Sequence, residues 1–82
     1  MTAKTFMMRA ERWPVDLRGF ALSDTRDADI HVSELSYAGC QLHCEEPLDA
    51  GELVELRIIK RGAVRAEIRW ADDGRAGARF VN

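Results

Sequence analysis

Val54-Glu55-Leu56-Arg57-Ile58, then Lys60-Arg61-Gly62, then Val64-Arg65-Ala66-Glu67-Ile68-Arg69-Trp70 is the stretch that decides the fold. Apolar and charged residues alternate on both sides of a short glycine-ended link, and a period of two puts successive side chains on opposite faces of a strand. Each segment therefore has one apolar face, and the link is short enough to close a hairpin. Leu53 and Ile59 fall on the polar phase of the first segment and are expected on its outside.

Towards the C-terminus, Asp72-Asp73-Gly74 reads as a turn, and Ala76, Ala78 and Phe80 alternate with Gly77 and Arg79 in a last short strand. In the other direction, Asp49-Ala50-Gly51 is a turn, and Glu45-Glu46-Pro47 stops the preceding strand because proline has no N–H for a ladder. That strand turns Cys40, Leu42 and Cys44 inward and His43 outward. Before it stands Glu34-Leu35-Ser36-Tyr37-Ala38-Gly39, a short polar stretch ending in glycine that reads as a tight corner.

Ile30 and Val32 alternate with His31 and Ser33 in the strand leading into the corner, and Ser23 to Asp27 is a turn or short loop. In the first strand Val15 and Leu17 share one phase while Phe20 and Leu22 share the other. The slip falls around Gly19, where a β-bulge is expected. Pro14 biases Trp13 towards an extended conformation, which places Arg9 and Arg12 in a loop at the mouth of that strand. Residues 1–8 carry neither turn signals nor periodicity and are expected to be a flexible lead-in to one domain, 9–82.

Six short strands with turns between them and no helical period predict an all-β antiparallel domain. A single open sheet would leave an apolar face wet, so a small closed barrel is the expected solution. With 12 basic and 14 acidic side chains the net charge is −2, so any site for a polyanion has to be local. No apolar run approaches membrane-spanning length and no signal-peptide pattern opens the chain, so a cytoplasmic location is expected. Cys40 and Cys44 read as buried apolar side chains, and with His43 on the other face the three do not converge on a metal. No nucleophile–base pair or paired-carboxylate cleft can be assembled, so no catalytic residue and no cofactor are expected.

Arginines before the first strand, a [D/N]xSxxG-like corner, an apolar-Arg-Trp segment and a Gly-x-x-Phe ending together resemble the PilZ domain family. The pieces are Arg9 and Arg12, Glu34 to Gly39, Ile68-Arg69-Trp70, and Gly77-Ala78-Arg79-Phe80. The resemblance implies a six-stranded antiparallel barrel of split-barrel type that takes part in bacterial second-messenger signalling by binding cyclic di-GMP. It implies Arg9, Arg12, Glu34, Ser36 and Gly39 as the ligand-binding residues. Two positions depart from the family pattern. Met8 stands where the first arginine of an RxxxR element would be, with Arg9 one residue along, and Glu34 replaces Asp or Asn.

A guanidinium can bond phosphate or guanine O6 and N7 in bidentate fashion, a carboxylate can accept from the guanine N–H edge, and glycine lets backbone approach. Losing one charge-assisted contact at Met8 costs about 1.5–3 kcal/mol, and about 1.4 kcal/mol is tenfold in affinity. Weak binding of cyclic di-GMP is thus the leading expectation. The alternative is a PilZ-like module that binds a motility or polysaccharide-synthesis protein instead, through Leu53, Ile59 or an exposed edge of the last strand. A small barrel for single-stranded nucleic acid ranks third because the basic groove and aromatic platforms it needs are missing. Monomer and homodimer both stay open. For each residue an ordinary role stands beside the functional one: Ser36 as a turn serine, Arg9 and Arg12 as solvated loop charges, and Trp70 as core or rim. For His31 and His43 the ordinary role is that of solvated outward residues.

Overall fold

A computed structural model of the chain describes residues 12–81. Six strands follow in order: β1 (Trp13–Ser23), β2 (Arg26–Leu35), β3 (Gly39–His43), β4 (Leu53–Ile58), β5 (Gly62–Asp72) and β6 (Arg75–Val81). They close into an antiparallel barrel in the order β1-β2-β3-β6-β5-β4, with β4 returning to β1. Closure supplies both neighbours to every strand, so β6 lies between β3 and β5 and presents no edge to a partner. Among the described residues no helix is long and apolar enough to cross a membrane.

The β4–β5 hairpin forms in the register its alternation requires, Val54 opposite Ala66 and Ile58 opposite Gly62. Its link needs two left-handed residues, and Lys60 (φ 74°) and Gly62 (φ 92°) supply them. Leu53 and Ile59 are exposed, 60% and 49%. Inside the barrel, Val32, Leu42, Leu56 and Ile68 are the largest fully buried side chains, each contributing about 1.5–3 kcal/mol by leaving water. β3 and β4 stand on opposite sides of the barrel, so residues 44–52 cross its mouth with Leu48 buried beneath them. This crossing is fastened at both ends. The Cys44 N–H donates to Gly74 O (2.8 Å), the Gly51 N–H to Ile68 O (2.6 Å), and the Ile68 N–H to Glu52 O (2.8 Å).

β1 departs from the reading of its sequence. The bulge falls at Val15 and Asp16, between the pairs Pro14–Glu34 and Leu17–Val32, while Gly19 pairs regularly with both Ile30 and Ile58. Gly19 and Ala21 continue the inward phase of Val15 and Leu17, and Phe20 points out, 42% exposed. A Cβ at Gly19 would overlap the Arg57 carbonyl, so the glycine is there to let β1 and β4 approach. Two small inward residues where Phe20 and Leu22 were expected are what a narrow barrel accommodates.

Two further irregularities bend the wall, at Ser33 in β2 against β3 and at Arg69 in β5 against β6. The second moves Trp70 off the Val64, Ala66, Ile68 face to the outside, where it is 42% exposed. The turn after β1 is also shorter than expected, only Asp24-Thr25, and Arg26 already belongs to β2.

Candidate functional site

The corner between β2 and β3 is built around one hydroxyl. Ser36 Oγ accepts from the N–H groups of Ala38 (3.2 Å) and Gly39 (3.1 Å) and donates to Gly39 O (3.2 Å). That uses its one proton and both lone pairs. The Ser36 N–H also reaches Gly39 O (2.8 Å), and Ala38 O accepts from the Phe80 N–H (2.7 Å), tying the corner to β6. In this arrangement Ser36 pins the turn, as a turn serine does.

Gly39 serves a close approach. A Cβ there would overlap the Ala78 carbonyl oxygen and press to 3.1 Å on the Cα of Arg79. The glycine therefore allows β3 to lie against β6 at the corner.

Pairing across the strands then lines up the outer wall. Glu34 is opposite Gln41, Gln41 opposite Gly77, and Gly77 opposite Trp70, which makes one row across β2, β3, β6 and β5. Beside it, Gly39 is opposite Arg79 and Arg79 opposite Glu67. Between the rows and the start of β1 is a hollow of about 220 Å³ walled by Arg12, Glu34, the Ser36–Gly39 corner, Arg69, Trp70 and Arg79.

Arg12 Nη1 donates to Glu34 Oε1 at 3.3 Å, with both side chains well exposed. Such a pair contributes about 0–1 kcal/mol and exchanges partners readily. Arg79 and Arg69 share Glu67, at 3.2 and 3.7 Å. Three guanidiniums against two carboxylates make the hollow locally positive on a chain of net charge −2. Trp13 and Tyr37 meet edge-to-face at 5.8 Å, bringing the start of β1 to the corner.

Of the residues expected at the site, Arg12, Glu34, Ser36 and Gly39 come together. Arg9, with Met8 and the lead-in, lies outside the described residues. The alternation along β5 and β6 singled out Arg69 and Arg79 only as outward residues. Their membership of the hollow depends on β3 pairing with β6, a non-consecutive neighbour that nothing local in the sequence announces. Cys40 and Cys44 are buried thiols, as the alternation of β3 requires. Among the described residues no group of three or more His, Cys, Asp or Glu side chains is placed to hold a metal ion.

The barrel and its corner agree with the comparison to known families. The model of the PilZ domain matches residues 8–82. No curated protein matches the chain significantly. PilZ domains are receptor and adaptor domains of the cyclic di-GMP-binding type, not enzymes. With a closed six-stranded antiparallel barrel and a family match over nearly its whole length, this chain belongs to the PilZ domain family.

Proposed function

We propose that this chain is a receptor that takes cyclic di-GMP on the outer-wall hollow beside the Ser36–Gly39 corner. The observation that carries the reading is the meeting of Arg12, Arg69 and Arg79 in one locally positive hollow next to Glu34. A hollow of about 220 Å³ receives a base with its adjoining phosphate, and the rest of the dinucleotide lies over the rim. Arg12 leaves Glu34 to bond a phosphate, which frees the Glu34 carboxylate to accept from a guanine N–H edge. Arg79 supplies a second cation from β6, in part replacing the arginine that Met8 displaces. Ser36 and Gly39 act by holding the corner and by allowing the two strands to close on it.

Calorimetry with cyclic di-GMP tests the reading. Heat should saturate below about 100 μM, an order-of-magnitude ceiling for a useful site. Arg12→Ala and Arg79→Ala should each weaken binding tenfold or more, since each removes a charge-assisted contact of about 1.5–3 kcal/mol. Absence of heat at that ceiling from folded protein overturns it.

One observation favours a second reading, a module that docks a protein and leaves the nucleotide unbound. The Ser36 hydroxyl is fully used within its own turn, while Phe20, Leu53 and Ile59 stand in solvent. A partner captured equally by the parent and by an Arg12→Ala, Arg79→Ala double variant would support that module.

A further inference from the structure

On the far side of the barrel from the hollow, closure of β4 onto β1 builds a face that neither strand carries alone. Phe20 points outward on β1, with Asp29 of β2 as its partner on one side and Arg57 of β4 on the other. The next row runs from Asp27 through half-buried Leu22 to Glu55 and then Arg65. An apolar column thus stands between an acidic strand and a flank that holds two arginines. Phe20, Leu22, Ile59 and Ala63 border one open depression, with Asp27 and Arg57 at its sides. Phe20 is 42% and Ile59 49% exposed. Among the described residues Asp27, Asp29 and Arg65 make no ion pair, and Arg57 meets only Glu55 of its own strand, at 2.9 Å.

We propose that this face pairs with the same face of a second copy of the chain, about a two-fold axis lying along β1. Rotation about that axis keeps each cross-strand row at its own level and exchanges its ends. Phe20 then packs on Phe20 of the other copy, and Asp29 of each copy lies over Arg57 of the other. The row of acid, aromatic and base is therefore its own complement, as an interface between identical copies requires. A two-fold axis across the strands would instead lay Asp29 on Asp29 and Arg57 on Arg57, so charge selects the first arrangement. Any other partner would have to repeat the same three columns at the spacing of β-strands, about 4.8 Å.

Some groups work against the pairing. In the row beyond Phe20, the His31 imidazole already meets Asp16 of its own chain, and Arg18 faces Arg18 on the axis. Asp27 comes over Glu55, which Arg65 on the neighbouring strand offsets. Contact over three strands, about 1,000 Å² in total, is the lower end for a specific interface, and the dimer should dissociate with a constant of about 10⁻⁵ to 10⁻⁴ M.

Sedimentation equilibrium of the full chain tests this. The parent should pass from monomer to dimer between about 1 and 500 μM, and Phe20→Ser should stay monomeric throughout. Asp29→Lys and Arg57→Glu should each be monomeric alone, because like charges then meet at both ends of the row. Mixed in equal amounts they should form a heterodimer, since both contacts again join opposite charges, and that recovery shows that each variant is folded. A parent that stays monomeric at about 500 μM leaves the face to another protein and overturns the proposal. So does a dimer that survives Phe20→Ser, or a mixture of the two charge variants that stays monomeric. None of these outcomes bears on cyclic di-GMP, whose hollow shares none of these residues.

Discussion

The indole of Trp70 lies against Gly77, so closely that a Cβ at residue 77 would overlap the indole Nε1. The bulge at Arg69 turns Trp70 outward, and a residue without a side chain on the next strand gives it a floor. Gly77→Ala should lift the ring, cost about 1–3 kcal/mol in unfolding free energy and reshape the wall of the hollow. Denaturant melts, with Trp70 fluorescence followed in a Trp13→Phe background, would show the loss and a red-shifted emission.

Ser36 holds three partners within its own turn. Ser36→Ala leaves the Ser36 N–H to Gly39 O bond as the turn's remaining tie, and should lower stability by about 1–2 kcal/mol. Ser36→Thr keeps the hydroxyl and should recover most of it. A midpoint of thermal unfolding unchanged by the alanine variant would contradict the pinning role.

Arg26 opens β2 and reaches the mouth-crossing segment through a two-point pair with Glu52, Nε to Oε2 at 2.6 Å and Nη2 to Oε1 at 3.2 Å. The Arg26 hydrogen bond, aided by the Asp49 N–H and the arginine's charge, holds the Glu52 carboxyl below its ordinary value of 4.5, with partial burial opposing. A carboxyl depressed in the folded state adds stability above its unfolded value, and that stability is lost as pH falls through the folded value. Urea midpoints should therefore drop from pH 4.5 downwards more steeply for the parent than for Glu52→Gln. Glu52→Ala should cost about 1–3 kcal/mol at pH 7, since it leaves a half-buried guanidinium without its main partner.

Burial pushes the Cys40 thiol up from 9.0 to about 12, and burial raises Cys44 as well. Thiolate is the reactive form, so neither should react with a disulfide reagent at pH 8 until the barrel unfolds, when two thiols should titrate. The unfolded chain ionises Cys40 first. Its contribution to stability is present below about 9 and should be lost as pH rises towards 12. Cys40→Ala should remove that part of the alkaline slope in denaturation measurements.

The β4–β5 hairpin and the inward sets of β3 and β6 were legible because alternation is a local property: one buried face demands a period of two. The serine–glycine corner was legible for a similar reason, as its hydrogen bonds span only three residues. The bulge expected at Gly19 lies instead at Val15 and Asp16, because a glycine required by a neighbouring carbonyl and a glycine required by a bulge look alike in sequence. By sequence Trp70 continues the Val64, Ala66, Ile68 phase, since nothing local marks Arg69 as the residue left out of the ladder.

By itself, then, the sequence determined an all-β chain of six strands, the turns between most of them, and the corner at Ser36 to Gly39. All of these follow from side-chain periodicity and short-range backbone chemistry. Only the tertiary structure decided that Arg69 and Arg79 share a hollow with Arg12 and Glu34, and that His31 faces His43 and meets Asp16. Those meetings depend on which strands become neighbours and on where bulges shift their register. Both are settled by closing the barrel around Val32, Leu42, Leu56 and Ile68, a condition on the whole chain at once.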